Sequence, residues 1–461
     1  MKKISLSNHF SIIVAIGLTL VYGYVAYFLE RSSFIQLILS VSFLFYFTYF
    51  LIEQSKISFN KLFGLSIIMR LVCIVTIPNL SQDFFRFFWD GQLVLQGINP
   101  YLENVNYYFE NNLEHQIHQA EILRQGMGNL NASHYSNYPA FSQYIYAVAA
   151  WFAKDSITAF VISLRVILIG FDILFVFFSK RILKLFNKNP KQLFWYILNP
   201  LCILEITLNL HLEGVMIALF ITGFYFLLKH KVIISSFFIS LSITTKLLSL
   251  VFLPVLAKYI FKKYVLPNNV KQIVSYGFWI LAFIILQCSF FYNSTFINNF
   301  SETVGLWFGK FEFNASIFYV VRWLGYQFYG WNIIETYSKF IPLMSILCFM
   351  MIIYKNKAKG KSMLNAFMWM LTIYFLLSTT VHPWYILFPL ALGVFTKYNY
   401  TYVWSFLVFF SYAAYRNVVF NESLFIIAVY YSILLMTIAY ELNKIKINLY
   451  LEGFLKNLKP K

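Results

Sequence analysis

The stretch FSIIVAIGLTLVYGYVAYFL, Phe10 to Leu29, runs for 20 residues without a charge. As a helix rising 1.5 Å per residue it is about 30 Å long, the thickness of the hydrocarbon layer of a bilayer. Phe34 to Ile52 and Ile273 to Tyr292 read in the same way. The whole 461-residue chain is 60% hydrophobic and only 12% charged, with a mean hydropathy of +0.67, which is far from the composition of a soluble domain. The runs are apolar on every face, whereas the strands of a membrane barrel alternate in polarity. A disordered chain, a coiled coil and a disulfide scaffold are excluded by the same composition. The fold class is all-α, a polytopic helical membrane protein.

The pattern predicts membrane helices near 10–29, 34–52, 62–79, 157–179, 192–209, 212–228, 232–247, 248–263, 271–292, 336–354, 363–380, 383–396, 401–416 and 423–440. That makes about 14 crossings (range 11–14) in a single integral membrane domain spanning 1–461. The net charge of +18 resembles a nucleic-acid signal until it is sorted by loop. With this topology, 24 of the 36 lysines and arginines fall on the side that carries both termini, including a basic tail at 441–461. The positive-inside rule makes that side cytoplasmic, and no nucleic-acid partner is expected. Eight cations, Arg31, Arg86 and Arg322 among them, lie outside. Met1 to Leu29 reads as an anchor rather than a cleaved signal, because its apolar run is long and lacks a small-residue cleavage site. A composition rich in Phe, Tyr, Ile, Lys and Asn suggests a bacterial cytoplasmic membrane.

Two outer segments are long, 80–156 and 293–335. Pro139 to Ala153 is apolar, but its 15 residues reach only about 22 Å, so it reads as an interfacial helix with Tyr and Trp at headgroup level. Between Ser81 and Ser156 there are seven acidic and three basic residues. A long outer loop held by a rigid helical frame is a natural place for chemistry.

Of only four aspartates, Asp83 and Asp90 sit together in SQDFFRFFWDGQLVLQGINPY, Ser81 to Tyr101. If this stretch is helical, Asp83, Arg86 and Asp90 share one face at i, i+3 and i+7, and Gly91, Gly97 and Asn99-Pro100 end the helix. A carboxylate held by an arginine at the membrane surface suits a general base acting on a substrate partly in the membrane. The plainer alternative is an interfacial helix with an Asp–Arg pair on its wet side. On the fourth helix, Arg165 and Asp172 share a face and are expected to pair with neighbouring helices. Cys73, Cys202, Cys288 and Cys348 lie in apolar runs without paired spacing and read as core filling. His115 and His118 lack a third ligand, so neither a metal nor a cofactor is expected.

The string D-x-x-R-F-x-W-D-G-x-x-x-x-x-G-I-N-P-Y resembles the signature of polyprenol-phosphate-mannose-dependent mannosyltransferases, members of the glycosyltransferase C (GT-C) superfamily. LNPLCILEITLNLHLEG, Leu198 to Gly214, is similar to a second motif of that family, with Asn199, Pro200, Glu205, Asn209 and His211 in register. Glu213 stands where the family usually has Asp. Tyr138-Pro139, Thr245-Lys246 and His382-Pro383-Trp384-Tyr385 are fainter echoes, and Ala140 replaces the second proline of the first. The resemblance spans roughly residues 60 to 390.

It implies a GT-C-like fold with a large catalytic first outer loop. The implied activity is inverting transfer of a sugar, mannose by resemblance, from a polyprenyl-phosphate donor to a glycan or glycolipid acceptor at the outer face. Asp83 would be the base, with Asp90 the next candidate. Arg86, His211, Glu213, Lys246, His382 and Tyr138 are candidates for binding substrate or its phosphate. The rival class is a multi-pass transporter or flippase of a lipid-linked or small anionic substrate, since intramembrane charges also mark transport paths. No corresponding pair of Gly/Pro-interrupted segments in two halves supports it.

Overall fold

The computed structural model describes residues 8–54, 57–417 and 419–457. The expected cytoplasmic cations Lys2, Lys3, Lys56, Lys459 and Lys461 lie outside these residues. The described chain is helical apart from one isolated bridge, Phe313 with Thr380. It begins with α1 (Asn8–Tyr27), α2 (Phe34–Gln54), α3 (Phe59–Val72), α4 (Asp83–Leu95), α5 (Val105–Glu110), α6 (Ala120–Ala132), α7 (Ala140–Ala153) and α8 (Ile157–Leu185).

Six described helices are long and apolar enough to cross a membrane: His9–Tyr27, Phe34–Glu53, Ile157–Leu185, Asn268–Phe291, Ile334–Lys355 and Leu424–Ile445. A bent pair, Pro200–Leu208 with Glu213–Leu228, raises this to seven if it counts as one span. The other expected crossings are helical but shorter or interrupted. The helix expected over 62–79 stops at Val72, and the segments at 248–263, 383–396 and 401–416 each include a 3-10 stretch. Hydropathy windows register apolar length and are blind to such breaks.

The largest departure from a straight crossing is at 192–209. Pro200 lacks an N–H, and the Asn199 side chain accepts from Leu201 N at 2.9 Å, starting a new helix there. The chain continues as a π-turn, Ile203–Leu208. Leu210 then takes a positive φ of 66°, and the axis turns by 111° before Glu213–Leu228. A non-glycine residue in the left-handed region is uncommon and tends to persist at functional sites.

Such a break frees carbonyls, and Arg165 of α8 collects them. Its Nε donates to Thr207 O at 2.8 Å and its second terminal nitrogen to Leu208 O at 3.0 Å. The remaining terminal nitrogen reaches Ile74 O and Thr76 O, just past the end of α3. Asp172, two turns further along α8, pairs with Arg70 of α3 at 2.7 Å. Both intramembrane charges of α8 therefore have neighbours, as their shared face predicts.

Segments 80–156 and 293–335, expected on the outer side, pack on this frame. Helix α7 lies against α4 and α8, with Trp151 and Phe152 exposed. Gly91 does not end α4, which runs on to Leu95. It is the crossing point with α7: a Cβ there would stand 2.5 Å from Tyr146 O. The turn comes at Gly97, with φ of +75°. The two long outer segments meet where Asn299 Nδ2 donates to Tyr101 O at 2.9 Å.

Replacing Arg165 with Leu abandons these carbonyls, each costing about 1–3 kcal/mol when buried without a partner. A clear fall in Tm in detergent is expected for Arg165→Leu. A smaller fall is expected for Arg165→Lys, which keeps the charge but loses the fork of donors.

Candidate active site

The two matched motifs, 80 residues and more apart in sequence, meet in space. Asp83 is the first residue of α4, and its side chain is 28% exposed. Its Oδ2 faces Nδ1 of His211 at 4.0 Å. His211 is buried, and its Nε2 stands 3.4 Å from Glu205 Oε2 without hydrogen-bond geometry. Glu205 is held by Tyr412, whose hydroxyl donates to Oε1 at 2.8 Å, and by Asn209 Nδ2, which donates to Oε2 at 3.0 Å. The bend after the π-turn is what turns Asn209 and His211 back toward Glu205.

The opposite face of the imidazole stacks on Trp384, with ring centroids 3.8 Å apart and planes at 26°. Trp384 stacks on His382 at 4.4 Å and 4°, and His382 on Phe313 at 4.9 Å and 28°. Phe313 is fixed there by backbone pairing, accepting from Val381 N at 2.8 Å and donating to Thr379 O at 3.0 Å. Four rings from three distant segments form one wall. Burial first, then His211, Lys246 and Arg31, push the His382 pKa down to about 3. His382 is therefore neutral at pH 7 and offers a hydrogen bond rather than a charge.

Lys246 closes a second side, with Nζ 2.5 Å from Glu213 Oε1, while Glu213 Oε2 is buried without a partner. The half-buried Tyr138 packs edge-on against Phe87. Burial, and next the Asp83 carboxylate, raise its phenol well above the usual range, so it faces the site as a donor. Among the described residues no group of three or more His, Cys, Asp or Glu could hold a metal ion.

Residues 30–262, half of the chain, match the family described as alpha-(1->6)-mannopyranosyltransferase, N-terminal domain (MptA_B). The chain belongs to this mannosyltransferase family. No curated protein and no solved structure matches it. The matched region holds Asp83, Asp90, Tyr138, Glu205, His211, Glu213 and Lys246, whereas His382 and its aromatic wall come from the following part of the chain.

In this mannosyltransferase the two aspartates of α4 have different surroundings. Arg86 pairs with Asp90 at i+4, with Nε 2.7 Å from Oδ1, and makes no ion pair with Asp83. Asp90 is fully buried and also accepts from Ser136 Oγ at 2.5 Å and Gln143 Nε2 at 3.0 Å. Arg86 spends its remaining donors on Asn131 O and His134 O, at 3.0 and 2.9 Å. Arg86 and Asp90, expected as a phosphate contact and a second candidate base, are engaged in a buried staple that joins α4 to the end of α6, the chain after it and α7. Arg322 is likewise taken, by Glu312.

The sequence reading passed over Arg31. It follows α1, its guanidinium carbon lies 3.3 Å over the Tyr415 ring, and its Nε is buried without a partner. It lines a narrow crevice with His382, Trp384 and Tyr412. The signal available was its rarity, one of eight outer cations.

Removing one partner of a buried, fully hydrogen-bonded ion pair leaves an uncompensated charge and costs about 3–5 kcal/mol. Asp90→Ala should accordingly lower Tm in detergent steeply, whereas Asp83→Asn should leave it unchanged. Equal stability of the two variants would contradict the staple.

Proposed function

We propose that this mannosyltransferase takes mannose from a polyprenyl-phosphate donor at the outer membrane face and passes it to a hydroxyl of a glycan or glycolipid, with Asp83 as general base. The observation that carries the reading is the division between the two aspartates. Asp83 alone of the pair is partly exposed and free of an arginine, and it faces the second matched motif. A base must reach its substrate's proton, and the buried Asp90 cannot. The excess of cations expected on the side of the termini supports an outer site in segment 80–156.

The acceptor oxygen attacks the anomeric carbon as Asp83 takes its proton. The bond from that carbon to the phosphate oxygen breaks, and polyprenyl phosphate leaves from the opposite face. Arg31 lies close enough to His382 to affect its charge, is held in an ion pair by no carboxylate among the described residues, and is the cation to stabilise the leaving phosphate, with Tyr138 and His382 as neutral donors. Phosphate is disfavoured beside His211, which is enclosed by the carboxylates of Asp83 and Glu205. The family description supports an α-(1→6) product. A single in-line displacement inverts configuration, so an α-linked product requires a β-linked donor. Membership of a transferase family favours this reading over a transporter.

Asp83→Asn in membranes supplied with polyprenyl-phosphate mannose should cut transfer by ~10² to 10⁴, the range a positioned base supplies, with Tm unchanged. Wild-type activity in that variant would remove Asp83 from the mechanism. The wild-type enzyme should also use the β-anomer of the donor and leave the α-anomer untouched, which product analysis by NMR would establish.

A further inference from the structure

A buried imidazole between two carboxylates, hydrogen-bonded through Nε2 to neither protein nor backbone, asks for a role. His211 is in this position: Asp83 Oδ2 stands 4.0 Å from Nδ1 and Glu205 Oε2 stands 3.4 Å from Nε2. Packing alone would not require Glu205 behind it, because burying a carboxylate is costly unless it is paired and hydrogen-bonded. Glu205 is nevertheless buried completely and tied on both oxygens, by Tyr412 and Asn209, so its position is fixed.

We propose that Asp83, His211 and Glu205 form one proton-handling line, in which Glu205 fixes the imidazole and the imidazole orients Asp83 and receives the proton that Asp83 takes from the acceptor. This rests on Asp83 being the base. With the ring proton on Nε2, toward Glu205, the Nδ1 lone pair faces an ionised Asp83. Two acceptors stand apart, which accounts for the 4.0 Å separation. Once Asp83 takes up the acceptor proton it becomes a donor, and the contact with Nδ1 closes; catalytic contacts commonly tighten only with reactants in place. The acceptor oxygen is then bonded to the anomeric carbon, and the electron pair of the broken bond has left with the polyprenyl phosphate. The proton passes from Asp83 Oδ2 to Nδ1. The resulting imidazolium sits between two carboxylates and releases its proton to water past the exposed edge of Asp83 before the next turnover. His211 and Glu205 are thus positioning residues, and Asp83 is the catalytic one.

The remaining charged or titratable groups facing this corner are Glu213 with Lys246, Tyr138 and Tyr385 beside the Asp83 and Glu213 carboxylates, His382 behind Trp384, and Arg31 with Tyr415. None stands between His211 and either carboxylate, so a change at Glu205 acts on the imidazole directly.

The test uses the full-length enzyme in detergent or proteoliposomes, with polyprenyl-phosphate mannose as donor, and compares His211→Gln, Glu205→Gln and Asp83→Asn. Glu205→Gln keeps the shape but removes the charge that favours the imidazolium. Its acid limb in a kcat/KM against pH profile should move to lower pH by about one unit. His211→Gln should lose ~10²-fold in kcat, with donor KM within about two-fold, and His211→Ala should regain part of the loss on addition of imidazole. An unmoved acid limb in Glu205→Gln together with wild-type kcat in His211→Gln would overturn the proposal. So would a loss confined to donor KM, which would make His211 a packing or donor contact. If Glu205→Gln does not fold, kcat and imidazole rescue in the His211 variants decide alone. Asp83→Asn separates the two readings. Activity in that variant defeats the base assignment itself, whereas an inactive Asp83→Asn beside a fully active His211→Gln defeats only the proton line.

Discussion

The site hangs from a single guanidinium. Inside an apolar frame no water is at hand to satisfy carbonyls that a broken helix exposes, so an interruption is tolerated only where protein supplies donors. Arg165 supplies them on two sides at once, to Thr207 and Leu208 at the π-turn and to Ile74 and Thr76 at the end of α3. Asp83 follows Thr76 by seven residues and His211 follows Leu208 by three. The two stretches that carry the proposed base and its partner are therefore registered against each other by one side chain hydrogen-bonded to both. An arginine suits this task because its planar fork presents several donors in fixed directions.

The same economy separates Asp83 from Asp90. They occupy one face of one helix, but the face tilts from an exposed end into the interior. At the inner end a bare carboxylate would be prohibitively costly, and Asp90 is saturated by Arg86, Ser136 and Gln143. At the outer end partial solvation leaves Asp83 without such a claim on neighbouring donors. Pairing with Arg86 also straps the exit of α6 and the entry to α7 onto α4, so the helix that carries Asp83, the proposed base, is held rigid by the other aspartate.

Much of this was legible in the sequence, and the limits have physical causes. Uncharged 20-residue runs announce crossing helices because length and polarity alone decide them, and α1, α2, α8 and three later helices answer that expectation. The two motifs pointed at Asp83, His211 and Glu213, and a fainter echo at Lys246; Asp83 stands by His211 and Glu213 pairs with Lys246. Arg86 was ambiguous because i+3 and i+4 neighbours lie on the same helix face, and only the surroundings of Asp90 decide between them. The broken span at 192–209 was hidden because a hydropathy window sums side chains and ignores backbone geometry, although Asn199-Pro200 and the alternating polar residues Asn209, His211 and Glu213 marked it. Gly91 was misread as a stop because glycine signals a turn and a close helix crossing equally well. The ring wall of His211, Trp384, His382 and Phe313 joins residues more than 100 positions apart, and no local pattern announces such a pairing.

That wall bears on how the few cations near the site could meet the phosphate of the proposed donor. A cation facing carboxylates is largely spoken for, as Lys246 is by Glu213 and Arg322 by Glu312. Arg31 instead lies over an aromatic face, whose quadrupole holds the charge without neutralising it. Neutral His382 adds a donor beside it without adding repulsion to Lys246 and Arg31. With Glu205 and Asp83 making the His211 end of the wall negative and Arg31 the far end positive, the wall has a built-in polarity. It disfavours an anion at the His211 end and favours one at the other, which is the separation of base and leaving group that the proposed in-line displacement would need.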